Sequence, residues 1–294
     1  MTITDVRGIR VGHWTDARGR TGCTVVIAEK GSSGGVDVRG GAPGTLGTDL
    51  LRPLTSQPGA HAILLTGGSA FGLAAAAGVM RYCEERRIGR VYRDRLIPLV
   101  AAAVIFDLAV GDQYARPDAE AGYAACVAAT TEPPAMGRVG AGTGATIAKL
   151  FGPVRLGGVG TASRRVGDVT VGALFVVNAV GDVYAEGASI PALSQATPLP
   201  MERSRRDTDP ATEDGAHTTI GVIATDATLS KVEANLLARA GHDGIAIAVH
   251  PAHTQRDGDT TFAMATGLAG SADLTALQIA AVESTAEAIR RAVA

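Results

Sequence analysis

The stretch GAHTTIGVIATDA, residues 215–227, joins a polar segment to an apolar one. Residues 219–224 are rich in β-branched side chains, a pattern that predicts a buried β-strand. The preceding residues 186–215 are polar, hold three prolines between positions 191 and 200, and are charged from 202 to 209. Because so long a stretch lacks a helix or strand pattern, we predict a linker there. This break separates 217 residues before Thr218 from the 77 residues that begin with it.

Strands and helices are predicted on both sides of the break. Short β-branched runs bounded by Gly or Pro predict strands at 8–11, 23–27, 35–38, 62–65, 98–106, 219–224 and 261–265, with an antiparallel meander over 156–184. Capping residues followed by apolar residues at helical spacing predict helices at 69–87, 118–129, 230–240 and 275–294, the first of them capped by Ser69.

Composition excludes several classes of protein. Hydrophobic residues make up 46% of the 294 residues and charged residues 19%, which excludes intrinsic disorder. Lys and Arg number 27 against 29 Asp and Glu, a net charge of −2, so the chain lacks the basic surface of a nucleic-acid binder. The longest apolar runs, 69–80 and 97–106, are shorter than the ~18–20 residues of a membrane span. We therefore predict no nucleic-acid or membrane partner.

The chain start and the cysteines indicate a compartment. Asp5 and the lack of an apolar run near the first residue argue against a signal peptide. The three cysteines are an odd number, widely spaced, and form no CxxC pair, so neither a disulfide framework nor a zinc site is expected. The six histidines form no HExxH motif. We predict a cytoplasmic protein with no metal and no cofactor.

Glycine is unusually frequent, with 38 residues or about 13% of the chain, against an average near ~7%. Its clusters at 40–44, 67–68, 140–144 and 157–160 suggest nucleotide-binding loops at first sight. No GxxxxGK[ST] motif occurs, and the 140–144 cluster is not followed by a strand–helix unit with an acidic residue. The clusters are better interpreted as tight turns and close packing positions.

Two local features carry candidate chemistry. Thr218 and Thr219 follow His217 at the start of the predicted strand, and Asp257 and Asp259 flank a glycine before another strand. In isolation, Thr at the start of a strand is ordinary, and Asp-Gly-Asp is more often a turn. A cut before Thr218 would create an α-amine with a pKa of about 7.7–8.0, suited to act as a base for the Thr218 hydroxyl. Nearby carboxylates would then orient the amine and the hydroxyl.

Seven motifs in the right order resemble the S58 family of self-processing hydrolases. They are ITDVRGIRVGH (3–13), VDVRGGAPGT (36–45) followed by TDLL (48–51), LLTGGSAFGL (64–73), AVIFDL (103–108), VGAGTGA (139–145), TTIGVIATDA (218–227) and DGDT (257–260). The family includes the L-aminopeptidase/D-Ala-esterase/amidase, β-peptidyl aminopeptidases and the nylon-oligomer endo-hydrolase. The resemblance covers nearly the whole chain.

The resemblance implies an α+β fold, a four-layer αββα sandwich of two stacked, mostly antiparallel sheets flanked by helices. This is the architecture of the N-terminal-nucleophile (Ntn) hydrolases with a different connectivity. It further implies that a single domain, 1–294, cuts itself into fragments 1–217 and 218–294 that remain together. The implied activity is cleavage of a peptide, amide or ester bond in a small substrate, by a protein that forms a tetramer or a larger homo-oligomer.

The resemblance also assigns site residues. Thr218 matches the nucleophile, and Asp257 and Asp259 match the acidic pair that supports its amine and hydroxyl. Asn178, in FVVNAVG (175–181), matches the residue that helps to hold the substrate carbonyl, and Lys149 matches a lysine near the nucleophile. Phe106 stands where some members carry Tyr, so this chain lacks that phenol.

One departure from the family pattern lies at the cut itself. Many members have Asn before the nucleophile and others have Gly, whereas this chain has His217. We still expect autocleavage between His217 and Thr218. Two alternatives remain: an acyltransferase of the ornithine-acetyltransferase type, and an uncut, inactive binding protein. The TTIGV and DGDT motifs favour the hydrolase.

Overall fold

The computed structural model describes residues 1–150, 153–190 and 217–294. Its strands are β1 (Ile9–Asp16), β2 (Thr21–Ala28), β3 (Ser33–Val38), β4 (Thr45–Leu46), β5 (Ala62–Thr66), β6 (Arg90–Tyr92), β7 (Arg95–Ile97), β8 (Val100–Val104), β9 (Thr146–Ile147), β10 (Arg155–Leu156), β11 (Gly158–Val166), β12 (Val169–Asn178), β13 (Asp182–Val183), β14 (Thr218–Ala227), β15 (Val249–His250) and β16 (Thr260–Gly270). Its helices are α1 (Ser69–Gly72), α2 (Ala75–Glu85), α3 (Ala119–Val127), α4 (Lys231–Ala248) and α5 (Leu274–Arg291). Most of the predicted linker, 186–215, lies outside the described residues.

Two five-stranded sheets form the centre of the molecule. The first has the strand order β1-β2-β5-β8-β4 and the second β11-β12-β14-β16-β3. Each contains one parallel pair, β5 with β8 and β14 with β16, while the other neighbours are antiparallel. In the second sheet β14 and β16 lie between strands from the earlier part of the chain. Of the meander predicted over 156–184, only the β11–β12 hairpin is confirmed, with its turn at Gly167–Asp168. The flanking strands β10 and β13 pair with β9 and β15 instead.

Side-chain alternation along the strands builds three apolar layers. In β12, Leu174 and Val176 lie in the core between the two sheets, while Ala173 and Phe175 lie in the core between the second sheet and α4 and α5. This is the period of two that a strand buried on both faces requires. A third core lies between the first sheet and α2 and α3. The resulting order of helices, sheet, sheet and helices is the predicted αββα sandwich.

The predicted helix at 69–87 is broken in the structure, and the prediction that Ser69 caps it is wrong. Gly68, with φ +80°, stands at the cap position. Its amide donates to Asp107 Oδ1 at 2.7 Å, and the Ser69 amide donates to the Ile105 carbonyl at 3.0 Å. Because groups at the end of β8 satisfy these donors, the helix start needs no hydroxyl cap.

Helix α4 is longer than predicted, because its glycines do not end it. The Ser230 cap is confirmed, and the structure adds a reciprocal contact from Glu233, but the predicted end at residue 240 is wrong. A Cβ on Gly241 would lie 2.6 Å from Ile223 Cδ1, and one on Gly244 would lie 2.6 Å from Thr285 Cβ. These glycines let the helix approach β14 and α5 closely, so packing offsets their low helix propensity.

None of the described helices is both long and apolar enough to cross a membrane.

Candidate active site

Thr218 and Asn178 face each other at one end of the second sheet. Thr218 begins β14, Asn178 ends β12, and the two are direct partners in the antiparallel register. Ile220 and Val176, two residues along each strand, lie in the core between the sheets. By the strand period of two, the Thr218 and Asn178 side chains point into that same layer. Both residues are buried.

The peptide bond between His217 and Thr218 has an unusual environment. The Thr218 hydroxyl donates a short hydrogen bond to the carbonyl oxygen of His217. The same oxygen accepts a hydrogen bond from the Gly258 amide at 2.9 Å. His217 also pairs with Asp257 in an isolated parallel bridge. The Thr218 hydroxyl therefore contacts the His217 carbonyl oxygen. The Gly258 amide donates to the same oxygen, where negative charge would develop if the hydroxyl attacked this carbonyl group.

Glycines bring this donor loop close to the loop after β3. A Cβ on Gly258 would lie 2.4 Å from the Ala42 carbonyl oxygen, and one on Gly40, where φ is +91°, would lie 2.2 Å from the Asp257 carbonyl oxygen. The Ala42 amide donates to that Asp257 oxygen at 3.0 Å. The 40–44 glycine cluster therefore supports the candidate site by close packing, as the sequence interpretation holds.

Hydrogen bonds fix the orientation of the Asn178 amide. Its Nδ2 donates to the carbonyl oxygen of Phe106 at 3.1 Å, across the layer between the sheets. Its Oδ1 accepts from the Thr146 amide at 3.0 Å and from Lys149 Nζ at 2.9 Å. Lys149 Nζ also donates to the Asn178 carbonyl oxygen at 2.9 Å. The structure thus places Lys149 next to Asn178, and Phe106 contributes through its backbone.

Lys149 is held in place by its own backbone. The Ala148 and Lys149 amides donate to the Gly181 and Val180 carbonyls at 2.8 and 3.0 Å, respectively. Burial lowers the pKa of Lys149 to about 7, and the negative charge of Asp257 opposes this shift. A lysine with such a pKa can gain or lose a proton near neutral pH, which is a common property of groups at functional sites.

Asp257 closes the loop that carries Gly258. Its Oδ2 accepts from the Thr254 amide at 3.0 Å and from the Thr254 hydroxyl at 2.6 Å, and its Oδ1 accepts from the Val180 amide at 3.3 Å. Burial raises the pKa of Asp257, the charge of Asp259 raises it further, and the hydrogen bonds from Thr254 and Val180 oppose the rise. Asp257 therefore links the Gly258 loop to the segment after β12.

Asp259 holds the second residue of β14. Its Oδ1 accepts from the Thr219 amide at 2.7 Å, and its Oδ2 accepts from the backbone amide and from Nδ1 of His253 at 3.0 and 2.8 Å. Among the hydrogen bonds of residues 1–150, 153–190 and 217–294, neither Asp259 nor Asp257 reaches the Thr218 hydroxyl. In this uncut chain Asp259 therefore contacts the backbone next to Thr218, through the Thr219 amide, whereas the Asp257 carboxylate contacts Thr254 and Val180.

Three contributors escaped the sequence analysis. The Gly258 amide and the Phe106 carbonyl are backbone groups, which any residue type can supply, so no residue pattern marks them. His253 lies in an irregular loop six residues before Asp259, a spacing that belongs to no motif. Its proximity to α4 arises only from the packing of the helix on the sheet.

The fold is that of the Ntn hydrolases, as a solved structure shows. The L-aminopeptidase D-Ala-esterase/amidase from Ochrobactrum anthropi, described as a new variant among the Ntn hydrolase fold, matches with a TM-score of 0.76 and 23% identity, over 99% of this chain and 85% of the other. That likeness concerns the fold.

Sequence similarity defines the family. The sequence model of peptidase family S58 matches residues 1–294. An uncharacterized aminopeptidase of Mycobacterium leprae is 46% identical over 292 residues, 90% of this chain and 78% of the other. The 6-aminohexanoate-oligomer endohydrolase of Paenarthrobacter ureafaciens is 34% identical over 276 residues, 90% of this chain and 75% of the other. The chain belongs to peptidase family S58, and it is a hydrolase of peptide or amide bonds.

Proposed function

We propose that this protein cuts its own chain between His217 and Thr218, and that the exposed Thr218 is the nucleophile of an aminopeptidase or amidase. The supporting observation is the contact of the Thr218 hydroxyl with the His217 carbonyl, whose oxygen also accepts the Gly258 amide. The nucleophile that we propose thus lies beside the carbonyl group that it would attack, and the Gly258 amide lies at the oxygen that would become the oxyanion.

The self-cleavage begins with addition of Thr218 Oγ1 to the His217 carbonyl carbon. The carbonyl oxygen becomes an oxyanion, which the Gly258 amide stabilises. The bond between that carbon and the Thr218 nitrogen then breaks, and the nitrogen takes up the proton lost by the hydroxyl. Water hydrolyses the resulting ester, which leaves a carboxylate on His217 and a free α-amine on Thr218.

In the cut protein the Thr218 α-amine acts as the base for its own hydroxyl. The hydroxyl attacks the substrate carbonyl to form an acyl-Thr218 ester, and the leaving amine takes the proton. Asn178 stabilises the oxyanion that forms. Lys149 orients Asn178 through a hydrogen bond, and the negative charge of Asp257 raises the pKa of Lys149. Asp259 keeps the start of β14 in place through the Thr219 amide.

The substrates that we propose are peptides with a free amino end, small amides and esters, and amide oligomers. A panel of aminoacyl-p-nitroanilides, D-Ala esters and 6-aminohexanoate oligomers tests this proposal. The wild-type protein should hydrolyse at least one class, Thr218→Ser should retain part of that activity, and Thr218→Ala should have none. Hydrolysis by a verified Thr218→Ala protein at the wild-type rate would contradict the proposal.

An added amine acceptor separates hydrolysis from acyl transfer. The proposed hydrolase releases free acid at nearly the same rate with and without an amino acid acceptor. Transfer of most acyl groups to the acceptor would instead support the acyltransferase alternative.

The proposal also covers the domain organisation, the cellular location and the oligomeric state of the protein. One αββα domain, 1–294, holds both fragments, and the protein is cytoplasmic and assembles into a tetramer or larger homo-oligomer. The oligomer rests on the family resemblance, and analytical ultracentrifugation at several protein concentrations measures it directly.

A further inference from the structure

His253 lies between Asp259 and helix α4, outside the set of residues that the family resemblance assigns. Its Nδ1 is 2.8 Å from Asp259 Oδ2, and its Nε2 is 3.4 Å from the His242 carbonyl oxygen. The His253 side chain is 20% exposed, whereas that of Asp259 is only 2% exposed. The ring therefore joins a buried carboxylate to the backbone of helix α4.

The two contacts of the ring define its protonation. A carboxylate oxygen and a backbone carbonyl oxygen both accept hydrogen bonds, and neither has a proton to give. A neutral imidazole carries only one N–H, so it can satisfy only one of them. The arrangement with both nitrogens facing acceptors fits the imidazolium form, which carries two N–H groups. The two contacts thus favour a protonated His253 paired with Asp259.

The surrounding charged groups agree with this assignment. Burial lowers the pKa of His253, but the hydrogen bond to Asp259 and its charge outweigh burial and raise the pKa above its usual value. On α4, His242 packs edge-on against His253, with ring centroids 4.8 Å apart, and burial lowers its pKa to about 4. From the end of β3, Arg39 opposes the His253 charge, but it is itself paired with Asp37 at 3.0 Å.

We propose that His253 is a positioning residue, which as a cation pairs with Asp259 and directs its carboxylate at the Thr219 amide. Asp259 Oδ1 accepts that amide at 2.7 Å, and Thr219 is joined directly to Thr218. The pair therefore fixes the first peptide unit of β14 and the direction of the Thr218 α-amine and hydroxyl. This inference rests on the proposed function, because its effect on activity requires Thr218 to be the nucleophile.

A pH dependence follows from the pair. When His253 loses its proton, the ring can keep only one of its two hydrogen bonds, and Asp259 loses its counter-charge. Thr218 is then less well placed, so kcat falls on the alkaline side while KM changes little. On the acid side kcat falls as well, because the protonated Thr218 α-amine cannot act as a base. We expect a bell-shaped profile in which His253 contributes to the alkaline limb, beside Lys149, whose pKa is about 7.

His253→Asn tests the role in catalysis. The backbone at 253 has φ +57°, a left-handed conformation that Asn tolerates well, and the Asn amide can donate to Asp259 without carrying charge. We expect about a tenfold lower kcat at neutral pH, since small displacements of a reacting group have large rate effects, and an alkaline limb that has lost the contribution of His253. His242→Gln, which removes the neighbouring ring and leaves the Asp259 contacts in place, should keep that contribution. An unchanged kcat and pH profile in His253→Asn would overturn the proposal.

An NMR titration tests the ion pair without any need for activity or cleavage. In the uncut Thr218→Ala chain, labelled with ¹⁵N-histidine and ¹³C-aspartate, His253 should titrate above the ordinary histidine value of about 6.5. The Asp259 carboxyl carbon should shift with the same midpoint. A His253 midpoint at or below about 6.5 would overturn the proposal, and so would an Asp259 carboxyl signal that does not shift at the His253 midpoint. Either result would count against it even if the protein is a Thr218 hydrolase. This measurement also decides the question if His253→Asn does not fold.

Discussion

At the scale of single residues, the candidate site combines groups that the sequence marks with groups that it does not. Thr218 and Asn178 stand in the stretches TTIGVIATDA and FVVNAVG, and Lys149 is assigned by the family resemblance alone. The structure brings Asn178 into register with Thr218 and into hydrogen bonds with Lys149. The contacts of the acidic pair, Asp257 and Asp259, can be read from the structure but not from the sequence. The DGDT motif places two carboxylates near Thr218, but only the folded loop reveals that Asp259 binds the Thr219 amide and that Gly258 binds the His217 carbonyl.

Asn178→Ala tests the amide that is proposed to stabilise the oxyanion. We expect kcat per cut chain to fall about 10²–10³-fold, the usual cost of losing such a donor, with a smaller change in KM. Mass spectrometry measures the cut fraction, so slow cleavage is not mistaken for slow turnover. Asn235→Ala is the matched control, because Asn235 is also buried and hydrogen-bonded, to Val36 and Leu51. A similar loss of kcat in both variants would argue against a specific role for Asn178.

Lys149 predicts a pH dependence of stability. Its pKa is about 7 in the folded chain and 10.5 in the unfolded chain, so between these values the unfolded state binds more protons. The free energy of unfolding therefore rises with pH in this window. Relative to Lys149→Met, the parent chain should gain about 1–2 kcal/mol between pH 7 and 8.5.

Urea titrations of the uncut Thr218→Ala chain, with and without Lys149→Met, measure this gain. The comparison cancels the contributions of other titrating groups, including His253, whose raised pKa gives a loss of stability as pH rises. Parallel pH dependences of the two proteins would contradict the assignment.

At the scale of elements, periodicity predicts strands and helices well where one face is buried, and poorly where glycine has a packing role. The β11–β12 hairpin and β14 follow from apolar runs and turn residues. The predicted end of α4 at residue 240 is wrong. Gly241 and Gly244 continue the helix, and they lie so close to β14 and α5 that a side chain would not fit at either position. The sequence shows each glycine, but only tertiary packing shows whether it ends a helix or brings that helix closer to its neighbours.

Gly221 gives an element-scale prediction. It lies directly opposite Phe175 in the β12–β14 pair, and a Cβ there would approach the Phe175 ring to 2.3 Å. Gly221→Ala should lower the free energy of unfolding by about 1–3 kcal/mol, as overpacking does, and it should slow self-cleavage by displacing β14.

The double variant Gly221→Ala/Phe175→Leu provides the control in the same urea titration. Leu removes the ring that the new methyl group meets, so the double variant should lose less stability than the sum of the two single changes. Simple additivity would show that the close contact is not the cause.

At the scale of the whole molecule, the cut would fall inside a sheet and not between two independent units. β14 and β16 follow residue 217, yet they lie between β12 and β3, which precede it. The αββα order follows from the family resemblance, since element patterns alone do not fix which sheet each strand joins. The strand order is set by long-range pairing, which local sequence does not record.

This topology predicts that the two fragments remain associated after cleavage. Size-exclusion chromatography of the cut protein should give one peak that contains both fragments, at the elution volume of uncut Thr218→Ala. The fragments should separate only in denaturant, because separation exposes the paired edges of β12 and β3 and the apolar layers on both faces. Loss of the small fragment under native conditions would contradict the predicted topology of the cut protein.

The central claim is that the chain breaks at His217–Thr218 to release the nucleophile, and intact-mass spectrometry with N-terminal sequencing tests it most directly. The 29.8 kDa chain should yield fragments of about 22 and 8 kDa, in proportion to their residues, and the smaller should begin Thr-Thr-Ile-Gly. Thr218→Ala should remain one species of 29.8 kDa. An active protein that consists only of the intact chain, or a cut at another position, would contradict the account.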